Sequence, residues 1–106
     1  MVFSSSRVLL AESGGVPAGF CLMAITNNLK MFLPERYGYL SDLYVHPRAR
    51  RQGIGRRLVE SELAWLAEHG VASVQLQFYQ FNKTGEAFWR AMGFEPYYTR
   101  MWRDVR

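Results

Sequence analysis

A second cysteine is absent, so Cys21 has no internal disulfide partner, and its place inside the apolar run "GFCLMAI" reads as a small core residue. A reducing, cytoplasmic setting is the expectation. No base lies close to it in the sequence, so a catalytic thiol is not expected. Nor is there any segment near the ~20 continuous apolar residues of a membrane span. "MVFSSSRVLLAES" lacks the long apolar stretch and small-residue cleavage site of a secretion signal. Internal repeats and low-complexity tracts are missing too. The 106 residues are long enough for one core and too short for two, so a single domain over 1–106 is expected.

What is abundant is positive charge, concentrated in one place. The formal net charge is +4, and Arg48, Arg50, Arg51, Arg56 and Arg57 fall within ten residues around Gly53 and Gly55. An anionic partner is implied. The arginines are confined to one turn, which argues for a small polyanion over a nucleic-acid polymer.

Periodicity supplies the frame. "RVLLAES" and "AGFCLMAI" read as two strands joined by a tight hairpin at "GGVP", and "YGYLSDLYV" reads as a third strand that stops before Pro47. From Gly53 to His69, Ile54, Leu58, Val59, Leu63, Trp65 and Leu66 share one broad arc, the mark of an amphipathic helix. Glu62 lies within that arc, where a carboxylate must reach its edge or meet an arginine. "ASVQLQFYQF" alternates like a strand. "NKTGEAFWRAMG" reads as a short helix capped by Asn82 and closed by Gly93, and "YYTRMWRDV" as a last aromatic strand. The order β-β-β-α-β-α-β predicts an α/β (α+β layered) fold.

A strand ending at Val45, a glycine turn and a helix starting near Ile54 aim free backbone N–H groups at one point, where phosphate binds well. The pattern is not a Walker loop, because no Gly-Lys-Ser/Thr follows. It is not the dinucleotide G-x-G-x-x-G either, because Leu58 stands at the third glycine position. No metal site is expected.

Val45, Pro47, Arg50, Gly53 and Gly55 spell V-x-P-x-x-R-x-x-G-x-G, which resembles the acetyl-coenzyme A binding motif of the GNAT superfamily of N-acetyltransferases. "YLSDLYVHPRARRQGIGRRL" looks most like its diamine acetyltransferase branch. Asn82, Phe88, Trp89, Gly93 and Phe94 resemble the later "N-x-x-A-x-x-F-Y…G-F" segment. The resemblance implies a GNAT-like fold, with a mixed, mostly antiparallel sheet and two helices, and with acetyl-coenzyme A as cosubstrate. Under it, the backbone of Leu43, Tyr44 and Val45 pairs with the pantetheine arm. Arg50, Arg51, Gln52, Gly53, Ile54, Gly55 and Arg56 surround the pyrophosphate, while Asn82 and Lys83 touch the coenzyme from the other side. The implied reaction is direct transfer of acetyl to a primary amine of an unidentified acceptor, with the Val45 backbone N–H facing the oxyanion.

Three departures accompany the resemblance. Trp89 stands where the family's tyrosine acid is usual, and Ser41 where the diamine-like branch often has a glutamate base. Asp42 is then the candidate base, although strand alternation would point it away from the face of residue 41. Tyr44, Tyr79, Tyr97 and Tyr98 are alternative acids, with core packing the role expected of each. The family's usual first strand and two helices have no counterpart in this sequence, which implies an exposed apolar sheet surface and a homodimer that covers it. The alternative function is a non-catalytic acyl-coenzyme A binding module or regulatory subunit.

Overall fold

The computed structural model describes residues 3–28 and 35–106; residues 29–34, the middle of the turn segment "NNLKMFLPERYG", lie outside these residues. The elements are β1 (Phe3–Ser13), β2 (Val16–Asn27), β3 (Arg36–Val45), a 3₁₀ turn (Pro47–Ala49), α1 (Ile54–Glu68), β4 (Val74–Gln75) and α2 (Lys83–Ala91). Gly14 and Gly15 have φ of 60° and 79°, and positive φ at both central residues is what a two-residue hairpin needs. Their turn sets Ser13 opposite Val16, and a one-residue shift between Ala11 and Glu12 then sets the register that runs on from Ala11–Gly19.

The sheet order is β1-β2-β3-β4, antiparallel except for the β3–β4 pair, which the α1 crossover joins in parallel. On one face Cys21, Met23, Ile25 and Leu40 pack with Ile54, Leu58, Val59 and Leu66 of α1. Gly38 is glycine because a Cβ there would drive into the Leu66 side chain. The opposite face carries Val8, Leu10, Phe20 and Tyr44, all exposed. Toward its end β2 is buried on both faces, from Met23 to Thr26.

Two expected strands differ. The "ASVQLQFYQF" strand shrinks to Val74–Gln75, because pairing with β3 ends at Tyr39, next to a register shift that leaves Ser41 as the extra residue of a bulge. A bulge bends its strand away from the partner. The final aromatic strand is not formed. Residues 95–106 have no regular structure, and Tyr97, Met101 and Trp102 are more than three-quarters exposed. β-Propensity expresses fit to a half-buried pleated surface, and no strand among the described residues offers that surface to this segment.

Candidate functional site

The site begins where β3 ends. His46 Nδ1 accepts from the Arg48 N–H at 3.2 Å and holds the 3₁₀ turn. Arg50 Nε donates to the Val45 carbonyl at 3.0 Å, bracing the loop against the strand it leaves. Gln52 Nε2 reaches the Arg48 carbonyl at 3.4 Å. Arg51 has φ of 66°, a left-handed conformation that costs an ordinary side chain roughly 1–2 kcal/mol, and Gly53 follows at 77°. The loop is thus wound tightly and pinned by its own side chains. Arg50 is a brace here, and the guanidinium groups of Arg51 and Arg56 remain exposed.

The turn delivers α1 without a cap. The Ncap is Gly53, which has no capping side chain, and the first turn has no acidic residue. The first intrahelical bond runs from Arg57 N–H to the Gly53 carbonyl at 3.0 Å, so the amides of Ile54, Gly55 and Arg56 lack helical acceptors. Arg56 and Arg57 occupy this positive end of the helix dipole, an unfavourable placement unless an anion sits there. Arg56 is partly offset by Glu60 at 3.5 Å. Gly55 has no packing reason to be glycine: a Cβ would meet Phe88 at 3.4 Å and Val45 at 3.6 Å, both ordinary contacts.

Beyond Tyr39, β3 runs on for six residues without β4 beside it, an open edge of roughly 20 Å at ~3.3 Å per residue. His46 N–H donates back to the Ala18 carbonyl at 2.7 Å. Because amides alternate sides along a strand, those of Leu43 and Val45 point to the open edge. Gly19 secures this geometry, since a Cβ there would collide with the Tyr44 carbonyl. A lone glycine inside the apolar run "AGFCLMAI" was the available signal for that close approach.

The bulge also corrects the expected orientation of Asp42. Leu40 and Leu43 both belong to the core cluster, while Ser41 and Asp42 between them are both exposed. The extra residue breaks the alternation and leaves residues 41 and 42 on the same open face. Ser41 Oγ lies 3.5 Å from the Leu22 carbonyl, and Asp42 stands opposite Leu22 and two residues from Tyr44.

The remaining candidates have local partners. Trp89 is half-buried, edge-on to Phe88 at 4.9 Å and to Phe94 at 5.4 Å, so it packs α2. Asn82 Oδ1 caps α2 by accepting from Gly85 N–H at 3.0 Å, and Lys83 Nζ is 3.6 Å from Glu86. The tyrosines depart from the expected packing role: Tyr79, Tyr97 and Tyr98 are at least 60% exposed, and Tyr44 is 43% exposed. Burial, with help from Glu62 and Asp42, pushes the Cys21 thiol up to about 12, far from a nucleophilic thiolate. Glu62 is fully buried and meets Arg7 of β1, with Nε 3.1 Å from Oε1 but poorly aligned for a hydrogen bond. Burial raises its pKa to about 6, against the pull of Arg7 and of the Met23 backbone. Arg7 as its partner was not legible in the sequence, because the contact spans 55 positions of chain. Among the described residues no group of three or more His, Cys, Asp or Glu side chains gathers to hold a metal, and no helix is long and apolar enough to cross a membrane.

A sheet opened along β3, a β3–α1–β4 crossover and an uncapped helix start flanked by arginines define an α/β protein whose free helix amides and exposed guanidinium groups meet at one turn. Residues 2–94 match the acetyltransferase (GNAT) family, and the chain belongs to that family. It is 30% identical over 91 residues to YhfO of Bacillus subtilis (strain 168), an uncharacterised N-acetyltransferase, covering 85% of this chain and 59% of YhfO. A mutant of the BH1408 protein from Bacillus halodurans shares the fold at a TM-score of 0.87 and 24% identity, over 97% of this chain and 68% of that one. The aminoglycoside N-acetyltransferase AAC(6')-Iy, solved with CoA, does so at 0.84 and 19%, over 97% and 68%. The chain therefore spans about three-fifths of its curated relative and about two-thirds of these structures.

Proposed function

We propose that this chain transfers acetyl from acetyl-coenzyme A to a primary amine by direct attack. The observation that carries the reading is the start of α1: three amides without helical acceptors, no cap, arginines where a cap's negative charge belongs, and a glycine at 55 that packing does not require. In this reading Gly53, Ile54, Gly55 and Arg56 hold the pyrophosphate, with Arg51 and Gln52 at the rim and Arg50 bracing the loop. The open edge at Leu43, Tyr44 and Val45 pairs with the amide groups of the pantetheine arm. Asn82 and Lys83 border the coenzyme from α2.

The chemistry follows from these positions. The neutral amine nitrogen attacks the thioester carbonyl carbon, forming the C–N bond and placing negative charge on oxygen. The Val45 amide faces that oxyanion, a contribution of about 2.7–4 kcal/mol where such a donor is well placed. Collapse breaks the C–S bond and releases the coenzyme thiolate, while the amine's proton passes to Asp42 directly or through water. The indole N–H of Trp89 is far too weak an acid to protonate the thiolate. A thiol of pKa ~8.5 leaves tolerably without an acid, so the reaction proceeds slower by a typical general-acid factor of ~10²–10⁴.

The test couples calorimetry with acetyl-coenzyme A to an assay of thiol release over an amine panel. Binding with turnover, accelerated in Trp89→Tyr, supports the reading. Binding without turnover for any amine replaces it with a coenzyme-binding module, and absence of binding overturns it.

A further inference from the structure

We infer that the acceptor is a primary amine with a single positive charge and an apolar, preferably aromatic, body. The inference rests on the acetyl-transfer reading and names the substrate class of that site. On the face away from α1, strand pairing lays out two rows: Leu10 beside Phe20 beside Tyr44, and Val8 beside Leu22 beside Asp42. The Phe20 and Tyr44 rings are 5.9 Å apart at 32°, and they are 37% and 43% exposed. Asp42 is the one charged residue in the two rows. His46, the next residue on this side of β3, is engaged by the Arg48 N–H.

That layout suits an amphipathic monocation. Its ammonium pairs with Asp42, and its body lies over Phe20 and Tyr44, a step of two residues, roughly 7 Å, along the strand. That span fits an aryl ring separated from its amine by two or three carbons. Bound there, the nitrogen lies beside the same β3 segment whose edge amides, at Leu43 and Val45, serve the coenzyme. A polyamine or an aminoglycoside would have to lay its additional ammonium groups on Val8, Leu10 and Leu22. They would lose water there, and the two rows hold no second carboxylate, the nearest on β1 being Glu12, two residues beyond Leu10. The chain's net charge of +4 further disfavours a polycation.

The experiment measures acetylation at saturating acetyl-coenzyme A for 2-phenylethylamine, tryptamine, hexylamine, spermidine and kanamycin. Calorimetry of coenzyme A, and of each amine with coenzyme-loaded protein, runs alongside. The expected result is kcat/KM at least tenfold higher for the two arylalkylamines than for spermidine or kanamycin. Phe20→Ala raises KM for the arylalkylamines about tenfold while kcat and coenzyme affinity hold. Phe20→Leu, which keeps apolar bulk, weakens the aryl substrates severalfold and leaves hexylamine unchanged. A preference for either polycation overturns the inference. So does unchanged KM in both Phe20 variants, or failure of both arylalkylamines to bind coenzyme-loaded protein. A chain that does not bind coenzyme A overturns the acetyl-transfer reading itself, a separate result seen before any amine is added.

Discussion

Removing either partner of the Glu62–Arg7 pair should change how stability depends on pH, because this carboxylate has no exposure to water and one cationic partner. Its native pKa of about 6 lies above the ordinary 4.5, so the native state holds the proton to higher pH than the unfolded chain does. The contribution is therefore fully present below pH 4.5 and lost as pH rises through 6. At 1.36 kcal/mol per pH unit, the loss amounts to about 2 kcal/mol. Glu62→Gln removes this slope: measured against it, the parent protein loses about 2 kcal/mol of relative stability between pH 4.5 and 7. Arg7→Met leaves a buried charge unpaired at pH 7.5, at a cost of about 3–5 kcal/mol, and the deficit shrinks toward pH 5 as Glu62 takes up a proton. Urea unfolding followed by tryptophan fluorescence at several pH values reads both effects. An Arg7→Met deficit of equal size at pH 5 and 7.5, or an unchanged slope in Glu62→Gln, would refute the reasoning.

The two glycines of the turn should separate folding from binding. Gly53→Ala, forced to keep a φ of 77°, costs about 1–2 kcal/mol of stability in thermal melts. Gly55→Ala leaves stability level or raises it by up to about 1 kcal/mol, yet weakens coenzyme A at least tenfold by calorimetry. Asn82→Ala removes the cap on Gly85 and destabilises by about 1 kcal/mol, visible as a lower urea midpoint. Cys21 should react with a disulfide reagent only on unfolding, and intact mass after acetyl-coenzyme A treatment should show no acetyl adduct on it. A stable adduct there would point to an acyl-enzyme instead of direct attack.

How much of this was legible in sequence follows from the range of each signal. The hairpin, α1 and the Asn82 cap were legible because each depends on residues within one turn or one strand length. Ile54, Leu58, Val59 and Leu66 do form the buried stripe. Failures arose where a distant partner decides the outcome. "YYTRMWRDV" has a strand's composition and, among the described residues, pairs with no strand. The bulge at Ser41 is a register mismatch between β2 and β3 that neither strand's sequence announces, and it alone turns Asp42 onto the face of residue 41. The Phe20–Tyr44 pair likewise exists only through the β2–β3 register.

The free amides at the start of α1 are the foundation of the account, and amide-resolved NMR during titration with coenzyme A tests them most directly. The account predicts saturable shifts, largest at Ile54, Gly55 and Arg56, that are lost in Gly55→Val and absent with adenosine alone. Shifts confined to other parts of the chain, or none at millimolar coenzyme A, would contradict it.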